Sequence, residues 1–112
     1  NMSLISPATF ADLRRMSGDE LINDVIDAFL DDAPTMVAAM QAAVGTHDVE
    51  SFRRNAHSMK SNADTFGATA LAALARELEA MGRAGDLNVG TRLEVLRAAC
   101  DAVSSELEGM RI

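Results

Sequence analysis

Hydrophobic residues recur along this chain with the period of an α-helix, and no segment alternates with the period of a strand. The clearest stretch covers 48–65. There Val49, Phe52, Ala56, Met59, Ala63 and Phe66 follow in steps of 3, 4, 3, 4 and 3. That rhythm draws one apolar stripe on a helix turning about 100° per residue. Val89, Leu93, Leu96, Cys100, Val103, Leu107 and Met110 predict a helix over 89–109 in the same way. Leu71, Leu74, Leu78 and Met81 predict one over 68–82. Upstream, Leu21, Ile22, Val25, Ile26, Phe29 and Leu30 predict a helix over 19–31, and Met36, Val37, Met40 and Val44 carry the pattern on to 44. Pro34 interrupts it. A proline kinks or breaks a helix interior but also suits a first turn, so 19–44 reads equally as one kinked helix or two.

The punctuation agrees. Ser6-Pro7 has the form of an N-cap followed by a first helical residue, and predicts a short helix over 7–16 that Gly18 and Asp19 end. Gly45-Thr46-His47-Asp48 closes one helix, and Asp48 caps the next. Gly67 marks a C-terminus, and 82–86 is a loop. Short connections between amphipathic helices predict an all-α fold, an antiparallel up-down-up-down four-helix bundle with one or two extra N-terminal helices. Residues 6–112 are expected to form its single domain. Residues 1–5 are expected to be a flexible start, and Asn1 ahead of Met2 has the look of an expression-tag residue.

Composition narrows the reading. Of 112 residues, 48% are hydrophobic but only 4% aromatic, with no Trp or Tyr, which predicts a thin core of Leu, Ala and Met. Met16, Met36, Met40, Met59 and Met81 are expected to fill gaps in it. Seventeen acidic side chains against ten basic ones give a net charge of −7, which disfavours nucleic acid as a partner. No apolar run is long enough to cross a membrane, and no secretory leader is visible. The lone Cys100 lies on an apolar seam and forms no internal disulfide, as expected of a cytoplasmic, monomeric domain. His47 and His57 stand ten residues apart with no Cys-x-x-Cys or His-x-x-x-His pair, so no metal site is expected.

One face of the helix over 48–65 changes the picture. Measured from the centre of the apolar stripe, His57 falls roughly 130° away, so it is expected to face outward. Arg53, Lys60, Ser61 and Asp64 share that exposed sector at i−4, i+3, i+4 and i+7. A neutral imidazole is a nucleophile near pH 7, and cations beside it attract a phosphoryl group. A small residue one turn on leaves room for another protein to close over the ring. Within an acidic chain, Arg53, Arg54 and Lys60 form a local cationic cluster within about two turns of His57.

The segment Ala56-His57-Ser58-Met59-Lys60-Ser61, followed by Gly67-Ala68 and a Leu-rich helix, resembles the signature of histidine-containing phosphotransfer domains. Phe29-Leu30, Pro34, Leu78-Glu79 and Gly82-Arg83 extend the resemblance over nearly the whole chain. Ser61-Asn62 departs from the Gly-Ser pair common in the family after the Lys, and Met59 replaces the commoner Leu. The resemblance implies that His57 accepts a phosphoryl group through Nε2, that Lys60 steadies it, and that Glu79 orients the ring through Nδ1. It further implies that Arg53, Ser61, Asp64, Gly67 and Arg83 belong to the receiver- and phosphate-facing surface. That docking surface is expected on the exposed face around His57, with apolar contacts from Ala and Met residues of the helix at 19–44. The implied function is a phosphorelay intermediate, taking the group from a receiver's aspartyl phosphate and passing it to another receiver. The implied partners are response-regulator receiver domains and a sensor histidine kinase, and the resemblance points to a membrane-bound hybrid kinase carrying such a domain at its C-terminus. No cofactor is expected on the chain itself, Mg²⁺ being expected on the receiver, and no autonomous kinase activity is expected. The alternative is a helical bundle that binds a signalling protein without chemistry.

Overall fold

Two helix starts form as their polar caps dictate. The Ser6 side chain accepts a hydrogen bond from the Thr9 amide at 3.3 Å, and Asp48 accepts one from the Ser51 amide at 3.1 Å. A computed structural model describes residues 3–112, which contain five helices and no strand. These are α1 (Pro7–Ser17), α2 (Ile22–Thr46), α3 (Val49–Thr65), α4 (Thr69–Arg83) and α5 (Arg92–Glu108). The helices α2 to α5 form a four-membered ring in which α3 packs most extensively on α4, and α2 bridges α3 and α5. The single extra helix α1 lies lightly across α2 and α3.

The proline question resolves to one helix. α2 runs unbroken for 25 residues with Pro34 inside it. Ile26, Phe29, Ala33, Val37 and Met40 are all at most 3% exposed, so one buried stripe passes straight through the proline position. Interior proline costs a helix about 3 kcal/mol. Burying each large apolar side chain of that stripe contributes roughly 1.5–3 kcal/mol, and the sum outweighs the break. Leu21 falls outside the helix, at its N-cap, and is exposed.

The stripes of α3 and α5 are buried as their spacing predicts, and Phe29 meets Phe66 edge to face at 5.5 Å. Met40 and Met59 are fully buried and Met36 and Met81 half-buried. Met16 is the exception at 84% exposure, on the outer face of α1, while Leu13 and Ser17 in the same turn are half-buried.

The expected flexible start does not extend to residues 3–5. Ile5 is 1% exposed, the Leu4 amide donates to Glu106 at 3.0 Å, and the Ser6 amide donates to the Gly67 carbonyl at 2.9 Å. Asn1, the expected tag residue, lies outside the described residues. Gly67 itself has φ +69°, and a Cβ there would stand 2.7 Å from Ser6 Cβ and 2.8 Å from Thr9 Cβ. It therefore ends α3 in a left-handed turn and lets α1 sit directly on that turn. The Ala68 amide completes the turn by donating to Ala63 O at 2.9 Å.

Candidate functional site

Position 57 follows the fully buried Ala56, so the helix turns its side chain out of the core, where it is 52% exposed. α4 packs on this flank of α3 with a row of small residues, Ala72, Ala75 and Gly82, and Glu79 stands in the same row. Glu79 is only 1% exposed, and among the described residues it is the one buried charged side chain. Three donors surround its carboxylate. Oε2 meets His57 Nδ1 at 2.8 Å and Arg83 Nη2 at 3.0 Å, while Oε1 meets Lys60 Nζ at 2.9 Å. A buried carboxylate is tolerable when it is both paired and hydrogen-bonded, and this one is.

The Lys60 ammonium holds the Glu79 carboxyl below the usual carboxylate range. The His57 hydrogen bond and the Arg83 charge act the same way, against the opposing effect of burial. An ionised carboxylate only accepts hydrogen bonds. The 2.8 Å contact therefore requires Nδ1 of His57 to carry the proton. In the neutral ring that leaves the lone pair on Nε2. The arrangement is an exposed imidazole held in one tautomer by a buried anion, with two cations sharing that anion.

Of the residues expected at the site, His57, Lys60, Glu79 and Arg83 come together in one network. Lys60 was expected on the open face, but its side chain is only 23% exposed and its ammonium turns inward to Glu79. Arg83 is the last residue of α4 rather than part of a loop, and its side chain stays 62% exposed. Ser61 and Asp64 are exposed on the same face of α3. Arg53 lies one turn before His57 and pairs with Glu50. Gly67 lies outside the site. It is buried beneath α1, ten residues and about 15 Å along from His57.

The α2 residues beside this face agree with the expected core role of its Met residues and depart from their expected docking role. Met40 is buried, and Met36 is half-buried with its sulfur 3.8 Å from Asn62 Nδ2. A shallow hollow between α2 and α3 is lined instead by Leu21, Val25, Ala28, Phe29 and Phe66, with Asp24 and Asp32 at its edge. Thr65 also lines it, two turns along the His57 row. The sequence assigned most of these apolar residues to the core, and Leu21 next to the turn at Gly18 was the one hint of exposure. Among the described residues, no group of three His, Cys, Asp or Glu side chains is placed to hold a metal ion. No helix among them is long and apolar enough to cross a membrane.

Comparison with known proteins gives two matches. The family model of the Hpt domain matches residues 24–106. Among solved structures, this chain is similar to the crystal structure of histidine-containing phosphotransfer protein B (HptB) from Pseudomonas aeruginosa PAO1. The TM-score is 0.90 at 25% sequence identity, over 99% of this chain and 96% of that chain. No curated protein matches.

Proposed function

The chain belongs to the Hpt domain family, and from that premise we propose that His57 is its phosphoacceptor in a phosphorelay between receiver domains. Histidine phosphotransfer within a phosphorelay is the family's function, receiver domains are its partners, and this chain is a phosphotransfer protein with no kinase domain in the residues described. The observation that supports the finer reading is the bond from His57 Nδ1 to buried Glu79 at 2.8 Å, made by a ring that is half exposed.

Nε2 attacks the phosphorus of a receiver's aspartyl phosphate in line. An N–P bond forms as the P–O bond to the aspartate breaks, and the carboxylate leaves with the electron pair. The proton on Nδ1 stays where it is. Positive charge that develops on the ring is met by the Glu79 anion, the same service an orienting aspartate gives a catalytic histidine. Lys60 and Arg83 pair with that anion beside the ring, and their cationic charge attracts a phosphoryl group on Nε2. The reverse sequence delivers the group to a second receiver. Mg²⁺ and the remaining reactive groups belong to the receiver. We place the receiver on the face that runs from His57 past Ser61 to the hollow between α2 and α3.

The test is incubation with a phosphorylated receiver and Mg²⁺, with His57→Gln as control. Acid-labile, alkali-stable label on the wild type alone is the expected result. Label on both proteins, or on neither, overturns the reading.

A further inference from the structure

One turn along the seam from the Glu79–His57 contact, α3 and α4 approach each other closely. Gly82 lies three residues beyond Glu79 on α4, and Arg53 lies four residues before His57 on α3. Residues so spaced share a helix face, so Glu79–His57 and Gly82–Arg53 are consecutive rungs of one antiparallel seam. At the first rung the side chains meet at 2.8 Å. At the second the main chains themselves meet. A Cβ placed on Gly82 would stand 3.1 Å from Arg53 Cα, 3.1 Å from its Cβ and 3.3 Å from its N. The flexible end of the Arg53 side chain is not what it meets. A helix backbone has no rotamer to change, so the strain passes into the spacing of the two helices. Gly45 in α2 gives the contrast, since a Cβ there meets nothing within 4 Å.

We infer that Gly82 is a positioning residue for the phosphotransfer, its missing side chain setting the α3–α4 distance at which Glu79 holds the His57 ring. This rests on the reading of His57 as phosphoacceptor. Gly82 touches no reacting atom. It acts through the His57–Glu79 bond, whose geometry one added carbon shifts by a few tenths of an ångström. Gly82 is the penultimate residue of α4 but has no positive φ, so ending the helix does not require glycine there, and the close approach to Arg53 supplies a spatial reason.

The test compares Gly82→Ala with Gly45→Ala, each alone and Gly82→Ala also in a Glu79→Ala background. The readouts are thermal melting, the rate of transfer from a phosphorylated receiver, and the ring-nitrogen NMR shifts of His57, which report its tautomer. Gly82→Ala is expected to fold, to transfer about tenfold more slowly, and to raise the population of the tautomer protonated on Nε2. Gly45→Ala is expected to leave rate and tautomer unchanged. In the Glu79→Ala background the Gly82 substitution is expected to add nothing, because the bond it acts through is gone. A Gly82→Ala protein with wild-type tautomer and rate overturns the proposal. So does equal slowing in both backgrounds. A chain that fails to fold overturns it as well, by making Gly82 a requirement of the bundle rather than of the site. If the wild type accepts no phosphoryl group, the phosphoacceptor reading fails, and the tautomer measurement still decides the role of Gly82.

Discussion

The α3–α4 seam and the α2–α5 seam close opposite sides of the same ring of helices, and each contains one buried group that can ionise. On the first, Glu79 has His57, Lys60 and Arg83 around it, and its carboxyl is held below the usual range. On the second, Cys100 is 3% exposed, lies 3.6 Å from the Met59 sulfur, and faces the α2 residues Ala33 and Val37. Burial pushes its thiol up to about 12, with the nearby Asp101 charge adding to the effect. Burial without a donor therefore drives one group further toward its neutral form, while burial with three donors keeps the other charged. The chemistry of the fold is set by what surrounds a buried group, and depth below the surface does not decide it.

The largest test of that contrast concerns the thiol. A shift from 9.0 to about 12 lowers the thiolate fraction near neutral pH by three powers of ten. Alkylation of Cys100 at pH 8 is expected to be on the order of a thousandfold slower in the native protein than in urea, by mass-spectrometric labelling. Fast native labelling would show that the α2–α5 seam opens readily.

Next comes the anion. Glu79→Ala is expected to slow transfer to His57 on the order of a hundredfold, because the ring loses its tautomer and its orientation. Stopped-flow or gel-based transfer from a phosphorylated receiver measures it. An unchanged rate would make the Glu79 network a structural ion cluster only.

Acid sensitivity is the third effect. A carboxyl whose folded pKa is depressed contributes stability above its unfolded value, near 4.5, and loses it as pH falls through the folded value. Glu79→Gln is expected to flatten the fall in urea stability below about pH 4.5. Glu106, held low by hydrogen bonds from Ser3 and the Leu4 amide, leaves part of that slope in place. An identical acid limb in wild type and variant would contradict the assignment.

The smallest effect is on the other seam. Cys100→Ala is expected to cost about 1 kcal/mol of stability in urea, as a small core truncation, with no change in transfer rate. A slowed rate would mean that the two seams are coupled.

Legibility in the sequence follows the same division. The helix stripes were readable because burial repeats every three or four residues, as Phe52, Ala56, Met59 and Ala63 show. The exposed setting of His57 followed from that phase alone. The burial of Glu79 did not, since a lone Glu beside Leu78 reads as a solvated edge. The available clue was the row Ala72, Ala75, Glu79, Gly82, where an acid sits among residues too small to be anything but a contact surface. The continuity of α2 was hidden because Pro34 speaks locally, while the stripe that overrides it is a tertiary fact. The inward turn of Lys60 and the buried place of Gly67 were invisible for a like reason. Each depends on a partner far away in the chain, Glu79 for one and Ser6 with Thr9 for the other.

The half-exposed ring of His57 has a kinetic consequence. It stands on a convex helix rather than in a cleft, so this fold builds only one wall of the reaction chamber. On the proposed reading, the other wall arrives with the receiver. On that reading, transfer between this domain and a separate receiver is second order, and its velocity tracks how many competent receivers collide with that face each second. Competition among receivers is settled by their abundance and by how well each fits the surface around one imidazole. A fold that encloses nothing leaves the timing of the relay to the composition of its surroundings.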